Sequence, residues 1–176
     1  MVKSLLEKGA NPFLKNYERQ TALWLARQKG DAQVVEIIEA LSRTAKPEYK
    51  LEALGHSIMD GDMSMLQELL GTGVDLDAWI PSYGKPVLQL AVDRGRNEMA
   101  KFLIQRGAGV NIRDKFHRTP LMAASGWGDL ELVKLLLDRG ADPNARDNSG
   151  RTPLSIATKQ GHNEVKALLG NHGATQ

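Results

Sequence analysis

Thr119-Pro120-Leu121-Met122-Ala123-Ala124 and Thr152-Pro153-Leu154-Ser155-Ile156-Ala157 are one phrase written twice. Thr21-Ala22-Leu23-Trp24-Leu25-Ala26 is an earlier copy, and Pro86-Val87-Leu88-Gln89-Leu90-Ala91 is a looser one. A glycine follows each phrase at a constant offset, at Gly30, Gly95, Gly128 and Gly161, and Gly61 marks a fifth unit whose phrase has drifted. A period of roughly 33 residues means stacked supersecondary units, and it changes the meaning of every other pattern in the chain.

Each unit has a physical reading. The Thr caps a helix whose first residue is Pro, where a missing N–H and a fixed φ do no harm. Leu then enters the core, and the small Ala lets neighbouring helices approach. The glycine suits the left-handed end of that first helix. The apolar pairs Val133/Leu136, Phe102/Leu103 and Val165/Leu168 recur at helical spacing on a second helix. Arg139-Gly140-Ala141-Asp142-Pro143-Asn144 and Arg106-Gly107-Ala108-Gly109-Val110-Asn111 are turn-forming stretches that lead to Asp147-Asn148-Ser149-Gly150 and Asp114-Lys115-Phe116-His117. These suit a projecting hairpin, or finger. One helix pair cannot bury its apolar face, and a stack of several makes a continuous core.

Thr-Pro-Leu-x-x-Ala, followed by Gly and then Gly-Ala-Asp, resembles the signature of the ankyrin-repeat family, and the resemblance covers nearly the whole chain. It implies an all-α repeat solenoid of stacked antiparallel helix pairs with projecting β-hairpin loops, forming a single domain over residues 1–176. The register predicts a half repeat at 1–12 and repeats near 13–46, 47–80, 81–113, 114–146 and 147–176. Val2, Leu5, Leu6, Gly9 and Ala10 match a second helix and turn whose first helix is absent, as in a fragment of a longer protein.

Two departures stand out. Glu52-Ala53-Leu54-Gly55-His56-Ser57 lacks Thr-Pro, and residues 42–50 lack the Gly-Ala-Asp turn, so one finger is missing there. Pro47-Glu48 suits a helix start, which predicts a direct helix-to-helix connection and a first helix that begins early, in a stack bent at that point or split into two short arrays. The third finger, Asp77-Ala78-Trp79-Ile80-Pro81-Ser82-Tyr83-Gly84, carries one extra residue and is apolar for a loop standing in water, which invites a functional explanation.

Composition narrows the chemistry. The 176 residues are 41% hydrophobic and 25% charged, with 23 basic against 21 acidic side chains and no cysteine. This is a globular composition. The missing cysteines exclude disulfides and thiolate chemistry and suit an intracellular, cytoplasmic chain. No stretch approaches the roughly 20 apolar residues of a membrane span. His56, His117, His162 and His172 form no pair at i, i+4, so no metal site is expected. His162 follows Gly161, where the family uses His for structural hydrogen bonds, and His117 stands where a finger glycine is usual. The acidic pairs Asp60/Asp62 and Asp75/Asp77 lack the spacing of a calcium loop. The glycines fall at helix ends with the repeat rather than in a phosphate loop, and no nucleophile elbow is present. A non-enzyme without cofactors is expected.

In the ankyrin family, targets lie across the concave face of finger tips and first helices. Carried over by register, this face includes Tyr17, Glu18, Gln20, Gln28 and Lys29 in the first unit, and only Met59 and Asp60 in the second. The third presents Trp79, Ile80, Tyr83, Lys85, Asp93 and Arg94. The fourth presents Arg113, Lys115, Phe116, Arg118 and Trp127, and the fifth Arg146, Asn148, Arg151, Lys159 and Gln160. Trp, Tyr and Arg are enriched among binding hot spots. The resemblance therefore implies a protein-binding scaffold, monomeric by itself, holding an acidic-faced protein partner as an inhibitor, immunity protein or adaptor. Trp79 and Trp127 also admit a packing role, over the long finger and on the neighbouring helix, and Trp24 leans toward packing. Two other readings stay open, namely a sensor of an anionic small molecule or nucleotide and the regulatory segment of a larger enzyme. A nucleic-acid partner is disfavoured.

Overall fold

The computed structural model describes residues 10–18 and 20–175, so most of the expected half repeat 1–12 lies outside the described residues. Ten helices in five antiparallel pairs make up these residues. They are α1 (Ala22–Gln28) with α2 (Ala32–Thr44), α3 (Pro47–Asp60) with α4 (Met63–Leu70), and α5 (Val87–Asp93) with α6 (Asn97–Gln105). Then come α7 (Pro120–Trp127) with α8 (Leu130–Asp138) and α9 (Pro153–Gln160) with α10 (Asn163–Asn171). A two-stranded antiparallel sheet, β1 (Trp79–Ile80) and β2 (Lys85–Pro86), stands between the second and third pairs. This is the all-α repeat solenoid that the periodicity predicts.

The local signals act as expected. Thr21, Thr119 and Thr152 cap α1, α7 and α9, each Oγ1 accepting from the backbone N–H three residues on, and Pro120 and Pro153 open their helices. Pro86 stands in the Thr position before α5 and supplies no side-chain cap. The five glycines between paired helices all have φ between 62° and 79°. At Gly128 the demand is double, because a Cβ would also sit 2.5 Å from Nδ1 of His162.

First helices stack on first helices from α3 to α9, and second on second from α6 to α10. Leu54, Leu88, Leu121, Leu132, Leu136 and Leu169 are fully buried, each contributing about 1.5–3 kcal/mol relative to exposure. Ala91, Ala124 and Ala157, also fully buried, recur once per repeat and let the first helices approach. Polar side chains tie unit to unit. His162 lies 3.0 Å from the Gly126 carbonyl, as the structural reading of that histidine expects. Arg96, after Gly95, reaches back in the same way and donates to the carbonyls of Ile58 at 3.1 Å and Met59 at 2.8 Å. Asn111 bridges Gly140 and Asp142, and Asn144 repeats the pattern with Gly173 and Thr175. Asp77 takes the corresponding place in the third finger and accepts from the Gly109 N–H at 2.7 Å.

The irregular connection is direct. α2 ends at Thr44 and α3 begins at Pro47, running 14 residues where α5, α7 and α9 have 7 or 8. The buried ammonium of Lys50 secures the junction, donating to the Arg43 carbonyl at 2.7 Å and the Thr72 carbonyl at 3.1 Å. A cation is favourable there, close to the C-terminal ends of α2 and α4. The first pair nevertheless keeps its own small core of Leu23, Ala26 and Ile38, separate from the large cluster that includes Phe13 and runs on to Leu169.

The apolar third finger also finds its explanation here. Ile80, expected at the partner surface, is 0% exposed and belongs to the core. Successive strand residues point to opposite faces, so Trp79 faces outward and Ile80 packs inward against α3. Tyr83 lies over Gly55, where a Cβ would meet its Cε2 at 2.5 Å, and it meets His56 edge to face. The Ser82 N–H donates to Glu52 at 2.9 Å. The lengthened α3 therefore supports this finger in place of the missing one.

Candidate protein-interaction surface

Among the described residues, the exposed aromatics are Tyr17, Trp24, Trp79, Phe116 and Trp127, each at least 44% accessible. All five sit on fingers or first helices, and none sits on a second helix. Because a two-turn first helix such as α5, α7 or α9 must face both its partner helix and its stacking neighbours, only one side of it is left uncovered. Trp127 ends α7, where the helix no longer supplies neighbours to cover it, and it is 63% exposed. Phe116 tips the fourth finger, flanked by the Lys115 ammonium at 5.1 Å and the Arg118 guanidinium at 5.4 Å from its ring centre.

The basic side chains divide into two groups. Asp114 is buried, and its Oδ1 accepts from the N–H groups of Phe116 and Arg118 while its Oδ2 accepts from the Arg118 guanidinium at 2.6 and 2.8 Å. Asp147 does the same with Ser149 and Arg151. Burial pushes the Asp114 carboxyl up, but the bonds from Arg118 and the finger backbone outweigh it and hold the group below its ordinary value. The same balance holds Asp147 down. Lys85 pairs with Asp93, which Gln89 also contacts at 3.0 Å. Pro81 stands one repeat before Asp114 and brings no carboxylate, so the Lys85 ammonium turns to the helix instead. Arg118, Arg151 and Lys85 thus brace fingers. Arg94, Arg113 and Lys115 are exposed and form no ion pair with a described residue, and Arg146 donates only to the Gly150 carbonyl at 3.1 Å.

Between α5, α7 and α9 lies an open groove of about 510 Å³. It brings together Lys85, Arg94, Arg118, Trp127 and Arg151 of the expected residues, with Asp93 and Gln160. Trp79, Tyr83, Arg113, Lys115, Phe116 and Arg146 do not line it, and Ile80 is beneath the surface. Its bed also contains Gln89, Met122, Ala123, Gly126 and Ile156, which the sequence reading did not select. For Gln89 a signal was present, since it is the only polar residue within Val87–Val92. A second opening, of about 410 Å³, lies between the first two units and is lined by Trp24, Arg27, Met65 and Glu68 among others. Among the described residues no group of three or more His, Cys, Asp or Glu is placed to hold a metal, and no helix is long and apolar enough to cross a membrane.

This geometry has known counterparts. A family model for ankyrin repeats matches residues 36–114 and 88–176. The chain is 36% identical over 107 residues to Ankyrin repeat and KH domain-containing protein 1 of Homo sapiens, covering 58% of this chain and 4% of that protein. It is 32% identical over 111 residues to human Rabankyrin-5, covering 63% of this chain and 9% of that protein. To the B-cell lymphoma 3 protein homolog of Mus musculus it is 31% identical over 134 residues, covering 73% and 30%. The chain thus spans a small part of the length of these relatives. Repeats of this kind are general protein-protein interaction modules and generally non-catalytic. With the family model matching most of the sequence and the five helix pairs in register, the chain belongs to the ankyrin-repeat family.

Proposed function

We propose that the concave face of the third to fifth units binds an acidic segment of a protein partner and acts by steric occlusion, as an inhibitor or an adaptor. The observation that carries this reading is the coincidence of outward aromatics with uncompensated cations. Trp79 and Phe116 on fingers and Trp127 at the end of a first helix are exposed, as are Arg94, Arg113, Lys115 and Arg146, and the Lys115 ammonium stands 5.1 Å from the Phe116 ring centre. Buried aromatics and arginines dominate interface energetics, and unpaired cations steer an acidic partner. The division of the cations refines the surface, because Lys85, Arg118 and Arg151 serve the fingers first. The chain has no cysteine, so its fold does not depend on an oxidising compartment, which accords with a cytoplasmic partner.

The test is affinity capture from source cells with the wild-type chain beside Arg113→Ala/Phe116→Ala/Trp127→Ala, after circular dichroism confirms equal helix content. A protein held by the wild type and lost by the variant supports the reading. Loss of one such anchor costs about 2 kcal/mol, close to thirtyfold in Kd. The same proteins bound equally by both chains would overturn it.

A further inference from the structure

We propose that His117, at the tip of the fourth finger, is a partner contact whose ring N–H donates to a carboxylate of the acidic segment. This rests on the reading that the concave face takes an acidic partner, and it adds a residue to that face. The fifth finger serves as an internal comparison, because the two tips share one backbone. The His117 N–H donates to the Asp114 carbonyl at 2.8 Å, and the Gly150 N–H to the Asp147 carbonyl at 2.9 Å. Oδ1 of Asp114 accepts from the N–H groups of Phe116 and Arg118, and Oδ1 of Asp147 from those of Ser149 and Arg151, all between 2.8 and 3.0 Å. The φ angle is 59° at His117 and 73° at Gly150, and Gly84 takes 58° at the corresponding place in the third finger. On this common backbone the fifth finger carries Asn148-Ser149-Gly150, residues that turns favour, whereas the fourth carries Lys115-Phe116-His117.

Among the described residues, His117 alone has a side chain at positive φ. A Cβ is crowded by the following carbonyl in that region, a penalty that glycine escapes. The fold gains no contact in return, since the ring is exposed and makes no hydrogen bond, ion pair or ring contact with a described residue. An unfavourable backbone position held by a side chain that the fold does not use points to a use outside the fold. The surroundings define what the ring meets. Within residues 113–118 and 146–151 the two carboxylates are those of Asp114 and Asp147, both buried and both paired with an arginine. Arg113, Lys115 and Arg146 are exposed and form no ion pair with a described residue. The Phe116 carbonyl accepts from the Asn148 N–H at 3.0 Å, so the two tips are adjacent. A cationic group is repelled there and a carboxylate attracted. An imidazole offers an N–H in either tautomer, and Phe116, 49% exposed, supplies the apolar anchor beside it.

The probes are fluorescein-labelled decapeptides with a central Leu flanked by Glu, or by Gln in its place, titrated by anisotropy against the intact chain. The wild type binds the Glu peptide more tightly. His117→Gly weakens the Glu peptide about tenfold and leaves the Gln peptide unchanged. The same variant melts level with the wild type or up to about 4 °C higher, because the left-handed position is relieved. His117→Asp, which tolerates the same backbone but sets a carboxylate against a carboxylate, weakens the Glu peptide further. Unchanged affinity in His117→Gly, an equal loss for both peptides, or a melting point below that of the wild type overturns the His117 contact while the acidic-partner reading stands. A wild type that shows no preference for the Glu peptide overturns both.

Discussion

Replacing Asp114 with Asn separates the two tasks of the buried carboxylate in the fourth finger. Its Oδ1 accepts the N–H groups of Phe116 at 2.8 Å and Arg118 at 3.0 Å, and Asn keeps an oxygen for these. Its Oδ2 accepts from Arg118 Nε at 2.8 Å and from the terminal nitrogen at 2.6 Å, and Asn instead turns an NH2 group toward them. Two charge-assisted bonds are lost, each worth about 1.5–3 kcal/mol when buried. The Arg118 side chain is 32% exposed, however, so water recovers part of the loss, and we expect about 2 kcal/mol. Asp147→Asn makes the same change opposite an Arg151 side chain that is 52% exposed, and should cost about 1 kcal/mol. The assay is urea unfolding at pH 7, comparing midpoints at a common slope. Acid supplies an internal check. A carboxyl held below its ordinary value stabilises fully above the unfolded-state pKa, about 3.9, and loses that contribution as pH falls through the folded value. The gap between wild type and Asp114→Asn should therefore narrow below about pH 4. A cost under about 0.5 kcal/mol for Asp114→Asn, or a larger cost at Asp147, would refute the bracing role.

Three further outcomes follow from the packing. Gly55→Ala places a Cβ 2.5 Å from Tyr83 Cε2 and should lower thermal stability by about 1–3 kcal/mol, with Tyr83→Ala in the same chain recovering most of the loss. Lys50→Met removes the ammonium from the carbonyls of Arg43 and Thr72, so limited proteolysis should speed up at residues 43–50 while residues 85–175 stay protected. Glu68 is pushed up by burial, opposed by Arg27 and assisted by Glu39 and Asp62, so its ionised form weakens the fold as pH rises through and above its ordinary range. Glu68→Gln should then melt higher than wild type at pH 7, with the difference disappearing in acid.

What the sequence disclosed, and what it hid, follows from the range of the forces. Thr119-Pro120 and Gly128 act within a few residues on their own backbone, so caps and turns were legible. Pro47 announced the early start of α3 for the same reason. Ile80 was misplaced because a two-residue strand reverses side-chain direction at each step, and nothing local says which of Trp79 and Ile80 faces the core. The purpose of Gly55 depends on Tyr83, in the next finger along the chain, and that of Lys50 on two helix ends that only the junction brings together. The bracing of Arg118 and Arg151 was open to reading, since Asp114-x-x-x-Arg118 recurs one repeat later as Asp147-x-x-x-Arg151. The groove is therefore less charged than its composition implies, with Arg94 as the lining cation that forms no ion pair with a described residue, while Arg113, Lys115 and, more loosely, Arg146 stand free on the fingers outside it.

The central claim is that the partner lies on the concave face of the third to fifth units. Backbone hydrogen exchange on the captured complex, compared with the free chain, tests it most directly. New protection at residues 79–86, 113–118, 122–127 and 156–160 is the predicted result. Protection confined to the second helices, at 97–105, 130–138 and 163–171, would contradict it.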